Sequence, residues 1–186
     1  RRPRGRDEPS FAVNFRMVGS MDKKTVFTMY AGLYTVGGVI FSVSYGKDRV
    51  ILEFGSAYDP ATAVFDGIVE PRDKNWVRDR LKAGLLPAID GIYRREDLGD
   101  DALVAAEETD WNTAVFITHL HLDHMALMGM LSPQIPVYLH RNAACIERAL
   151  EESGAGIETL LREYRDITPA ESIRVGEVEV LPMLCR

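Results

Sequence analysis

Three of the four histidines in this 186-residue chain fall within six residues, in the run His119-Leu120-His121-Leu122-Asp123-His124. On an extended backbone, residues two apart point to the same side, so His119 and His121 can direct two neutral imidazoles at one cation. Asp123 and His124 follow as the chain turns into a helix. Their side chains are expected to diverge from the first pair and to hold a second cation nearby. Mixed imidazole and carboxylate ligation suits Zn2+, with Mn2+ or Fe as alternatives. Two adjacent metals can make hydroxide from water, polarise a scissile group and stabilise a leaving oxygen. Asp123 can in addition accept a hydrogen bond from the attacking water, which makes it the candidate catalytic residue. Packing offers a poorer explanation, because burying four polar side chains together without a metal is costly. His140 stands alone at the end of Pro136-Val137-Tyr138-Leu139-His140 and is read as a non-ligand. Cys185 is read as an ordinary thiol.

The elements around the run must position it. Ala114-Val115-Phe116-Ile117-Thr118 is continuously apolar, as a buried strand would be, and delivers the chain straight into His119. Met125 to Leu131 continues with helical character until Ser132-Pro133. Upstream, Thr25–Tyr30, Val39–Tyr45 and Arg49–Phe54 read as three strands, the last two joined by a Gly46-Lys47-Asp48 turn. Three consecutive strands argue against a simple βαβ start and for an α+β chain. Gly37-Gly38 marks a bend or a close backbone approach. The stretch 56–111 is too long to be a bare connection. It predicts a helix over Asp73–Ala83 with Asp73 as cap, an apolar side of Trp76, Val77 and Leu81, and a basic face of Lys74, Arg78, Arg80 and Lys82. Asp100–Glu108 predicts a short acidic helix, and Arg94-Arg95 beside Glu96-Asp97 a solvated charge cluster. Beyond the motif, helices are expected over Arg141–Glu151 and Ile157–Tyr164, then a hairpin of Ile173–Val175 and Val178–Pro182.

Composition narrows the classes. Apolar residues make up 46% and charged residues 27%, which excludes a fibrous or largely disordered chain. No apolar run approaches the ~18 residues of a membrane-spanning helix, so no membrane partner is expected. Two cysteines, Cys145 and Cys185, are too few for a disulfide framework and fit a reducing, cytoplasmic compartment. The net charge of −6 gives no whole-chain attraction for phosphate backbones. Residues 1–20 depart from this with five Arg against Asp7 and Glu8, and read as a flexible basic arm or an artificial remnant. The folded part is then 21–186.

Thr118-His119-Leu120-His121-Leu122-Asp123-His124 resembles the HxHxDH signature of the metallo-β-lactamase fold hydrolases. Arg49–Gly55 resembles that family's early strand, with Glu53 where Asp is usual. The long insertion before the motif and Ile135-Pro136-Val137-Tyr138 after it are most similar to ribonuclease J and its β-CASP relatives. The resemblance implies an αββα sandwich with a dinuclear zinc site, His119 and His121 on one metal, Asp123 and His124 on the other. It implies hydrolysis by a metal-activated hydroxide, with RNA as the expected substrate and partner. The same machinery acting on a small ester, thioester or lactone is the alternative, and a non-catalytic metal-binding or assembly module is a third.

Such enzymes add a later His, a bridging Asp and a final His, whereas this sequence has no His after His140. Residues 21–186 therefore read as a partial domain, the N-terminal half of the fold plus part of the second. Completion is expected from the rest of its own fold, from a second chain, or in a homo-oligomer.

Overall fold

The computed structural model describes residues 24–58, 72–154 and 163–183. Its centre is a mixed six-stranded sheet in the order β1-β2-β3-β4-β5-β6, giving an α+β fold with few helices. Strands β1 (Thr25–Ala31), β2 (Ile40–Tyr45) and β3 (Asp48–Leu52) form an antiparallel meander. The expected three-strand start is therefore present. Strand β4 (Asn112–Phe116) then pairs parallel to β3, β5 (Val137–His140) parallel to β4, and β6 (Tyr164–Ile167) parallel to β5. Parallel neighbours need crossovers. Between β3 and β4 the crossover carries helices α1 (Trp76–Ala83) and α2 (Arg95–Leu98); between β4 and β5 it carries the one-turn helix α3 (Leu122–Met125); between β5 and β6, α4 (Arg141–Glu152).

Alternation along the strands divides the core in two. Ile51, Val115, Ile117, Val137 and Leu139 point to the face covered by the crossovers, where Ile89, Ile92, Tyr93 and Leu98 meet them. Val50, Ala114, Phe116 and Tyr138 point to the other face. There a hairpin of β7 (Ile173–Val175) and β8 (Val178–Val180) packs through Val175. Asp48 holds that hairpin: its Oδ2 accepts from the Glu177 amide at 2.9 Å, while Oδ1 accepts from Asn112 Nδ2 at 2.8 Å. Because β4 is covered on both faces from Thr113 on, Ala114–Phe116 form a continuous apolar run rather than an alternating one. Every residue of β1 is only partly buried.

Several expected elements are corrected. Helix α1 begins at Trp76 with Asn75 as N-cap, not at Asp73, because Lys74 has φ +59°, which no helix accommodates. Trp76 faces outward beneath the Arg80 guanidinium, 5.0 Å from its ring, while Val77 is buried. The basic face is not continuous, since Lys74 precedes the helix and Arg78 donates to the Leu98 carbonyl. Asp100–Glu108 forms only a 3₁₀ turn at Ala106–Glu108: Asp101 and Asp90 carboxylates accept the Leu103 and Val104 amides, and the Ala106 amide is drawn to the Tyr93 carbonyl. The Arg94–Asp97 charge cluster is present, but it is folded into α2, with Arg94 on Asp97 and Arg95 on Glu108. Met125–Leu131 is broken into the end of α3 and a 3₁₀ turn at Met128–Met130. Tyr164 opens strand β6 instead of closing a helix, and Glu163 before it is not helical; residues 157–162 of the expected helix, together with residues 1–20 and Cys185, lie outside the described residues. Among the described residues no helix is long and apolar enough to cross a membrane.

Candidate metal centre

Strand β4 ends at Phe116, and Ile117 stays in register by donating to the Tyr138 carbonyl at 3.1 Å. The chain then leaves the sheet at Thr118 and turns into α3, whose first residue follows His121. The end of β3 lies alongside. There Glu53 adopts φ +62°, an uncommon state for a residue with a Cβ. The reversal carries its carboxylate to Thr118, whose hydroxyl donates to Glu53 Oε1 at 2.7 Å and whose amide reaches Oε2 at 3.3 Å.

One consequence concerns His119. A threonine hydroxyl has a single proton, and here it goes to Glu53. The 2.9 Å contact between Thr118 Oγ1 and His119 Nδ1 is then a bond donated by the imidazole. His119 is thereby held in the tautomer whose Nε2 is a free donor to a cation. Burial first, and the neighbouring His124 and His121 after it, push the His119 pKa below the ordinary imidazole range, toward the neutral ligating form.

The three motif histidines come together. Ring centroids of His119 and His121 are 4.5 Å apart, and those of His119 and His124 are 4.0 Å apart. The expected divergence of His124 is therefore not seen; α3 folds it back against His119. Its Nε2 is 3.4 Å from Asp123 Oδ2, and its Nδ1 is 3.5 Å from Glu53 Oε1. His124 Nδ1 is buried without a hydrogen-bond partner. His140 lies apart from this group, at the head of α4, where its Nδ1 accepts from the Asn142 amide at 3.3 Å. Cys145 is a free, exposed thiol on α4.

Two glycines fit against the motif from remote segments. A Cβ on Gly37 would stand 2.5 Å from Asp123 Cβ, and one on Gly55 would stand 2.0 Å from the Asp123 carbonyl carbon and oxygen. Backbone hydrogen bonds complete the clamp: Gly38 N to Asp123 O at 3.1 Å, Phe54 N to His124 O at 2.7 Å, Ser56 N to Leu122 O at 3.1 Å and Leu127 N to Phe54 O at 2.9 Å. The close approach predicted at Gly37-Gly38 is thus found, and it is made on Asp123 itself. Gly55, Thr118 and the positive φ of Glu53 had no assigned role in the sequence reading. The nearest signal was the Glu53-Phe54-Gly55 ending of an apolar strand.

Among the described residues, no three His, Cys, Asp or Glu side chains already close on a single point as ligands. The donor set itself, three imidazoles and a carboxylate, is of the type that zinc takes.

No protein-family model matches the chain, and no curated protein matches it. Among solved structures it is similar to the crystal structure of a protein of unknown function from Enterococcus faecalis V583, at TM-score 0.65 and 26% identity. The match covers 83% of this chain and 36% of that one, so the chain spans little more than a third of that protein's length.

Proposed function

We propose that this chain carries the metal-binding region of a metal-dependent hydrolase of the metallo-β-lactamase fold. The observation that carries the reading is the gathering of His119, His121 and His124 beside Asp123 at the end of a buried strand, with ring centroids 4.0 and 4.5 Å apart. The β7–β8 hairpin on the face opposite the crossovers is read as the beginning of the second sheet of an αββα sandwich. The partial burial of all of β1 agrees with a further layer, from the rest of the same protein or from another chain.

His119, His121, Asp123 and His124 would hold the metal, Zn2+ first and Mn2+ or Fe as alternatives, with two ions in the complete site. Bound there, the metal would acidify a water and polarise the scissile bond. The protein's own part is to orient. Glu53 acts through the Thr118 hydroxyl to fix the His119 ring, and the Gly37–Gly55 clamp fixes Asp123. The Asp123 carboxylate, 37% exposed, is free to accept a proton from the attacking water.

Phosphodiesters, with RNA as the substrate the resemblance implies, and carboxylic esters, thioesters or lactones are both open to this chemistry. The test is hydrolysis of each class by zinc-loaded protein and by His121→Ala. Turnover lost in the variant supports the reading. Tight metal binding without turnover of either class would leave a metal-binding or assembly module and overturn it.

A further inference from the structure

Helix α4 is turned against its own composition. It packs on β5 and β6 with Ala144 and Glu147 buried, while Ile146 is 55% and Leu150 38% exposed. Cys145 and Ala149 are exposed as well and complete an outward stripe of small and apolar side chains. A surface helix ordinarily buries such residues and leaves its carboxylates in water. The stripe is thus shaped for packing on a further surface.

Charge selects the occupant. A helix favours carboxylates in its first turn and cations in its last. Helix α4 has neither, and carries the reverse order, with Arg141 at its start and Glu151 and Glu152 at its end. That order is unfavourable within the helix but favourable against an antiparallel neighbour, where Arg141 comes beside a C-terminus and Glu152 beside an N-terminus. Arg141 and Glu152 are close to three turns apart, so they lie on one line along a flank of the stripe. Both are exposed; Arg141, though bonded to Asp166 at 3.1 Å, keeps 78% of its side chain in solvent.

We infer that the outward stripe of α4 is a self-association surface, on which α4 of a second copy lies antiparallel about a two-fold axis at Ile146. In an antiparallel two-fold pair each flank meets its own copy. Arg141 of each chain is then level with Glu152 of the other, and the two Ile146 side chains meet at the axis. Arg148, on the same flank, falls level with Cys145 of the other copy and not with its own counterpart. Cys145 and Ala149 leave room for the larger Ile146 and Leu150. One helix pair is a small interface, so the dimer is weak, in the micromolar range or above.

The experiment is sedimentation equilibrium of the full chain from about 5 to 500 μM, a span that brackets weak dimers. A monomer–dimer equilibrium is expected. Ile146→Asp should weaken it by about a hundredfold or more while leaving the urea midpoint of the monomer in place. Arg141→Glu and Glu152→Arg should each weaken it by roughly tenfold, and the two together should restore it, a recovery that a local role of either residue would not produce. In a Cys145→Ser/Cys185→Ser background, Ile146→Cys should oxidise to a disulfide-linked dimer. Glu152→Cys, whose counterpart stands at the far end of the pair, should not. A chain that stays monomeric throughout, a dimer indifferent to Ile146→Asp, or a double reversal that fails to recover association would overturn the surface.

Discussion

Gly55→Ala should injure this protein far more than its single added methyl group suggests. The new Cβ would lie 2.0 Å from the Asp123 carbonyl carbon and oxygen and 2.3 Å from the His124 amide nitrogen, all backbone atoms that no rotamer change can move aside. Ordinary contact begins near 3.4 Å, so the two segments must part by about 1.4 Å. Such a displacement breaks the bonds from Phe54 N to His124 O, Ser56 N to Leu122 O and Leu127 N to Phe54 O. At roughly 1 kcal/mol each the loss is about 3 kcal/mol, at the upper end of the range for overpacking. Gly84→Ala is the control: Gly84, unlike Gly55, has positive φ, +72°, but nothing lies within 4 Å of its Cβ position. It should lose only the ~1 kcal/mol of a left-handed alanine. Urea unfolding separates the two. With a slope near 2 kcal/mol/M, Gly55→Ala should move the midpoint down by ~1.5 M and Gly84→Ala by ~0.5 M. Equal midpoints would refute the clamp.

Three further outcomes follow from the same contacts. Thr118→Val removes the hydroxyl between Glu53 and His119, and should weaken zinc binding by about tenfold or more while unfolding stability falls by only ~1 kcal/mol; calorimetric titration and urea unfolding read the two effects. Asp48→Ala removes the acceptor of the Glu177 amide and of Asn112 Nδ2, so amide exchange across 173–180 should accelerate well beyond that of β2. The Asp79 carboxyl, bonded to the Arg72 guanidinium and amide, is held down to about 2. Because its folded value is the lower one, its contribution is complete above the ordinary carboxylate range near 4 and disappears as pH falls toward 2. Acid unfolding of Arg72→Ala should show a smaller pH dependence in that window, and an unchanged profile would remove Asp79 from the account.

Much of the scaffold around the motif was legible because local pattern and tertiary role agree there. The apolar run Ala114–Ile117 marks a strand covered on both faces, and the structure places it so, whereas β2 buries Ser42 and Ser44 and leaves Phe41, Val43 and Tyr45 partly exposed, which its sequence did not signal. Strand β6 was not legible, since four residues, Tyr-Arg-Asp-Ile, become a strand only by pairing with β5. Helix α1 starts late because the left-handed Lys74 is a turn feature, invisible to helical periodicity. At the site, the residue types and the glycine approach could be read directly. The convergence of His124 on His119 could not, because it depends on how tightly α3 turns after His121. Nor could the Glu53–Thr118–His119 chain, which joins residues 65 apart in sequence through a backbone reversal at Glu53.

The most direct test of the central claim is calorimetric zinc titration of the purified chain beside its His121→Ala variant. The account predicts a tight binding event in the parent that is lost or greatly weakened in the variant. Zinc bound equally well by both, or not at all by the parent, would contradict it.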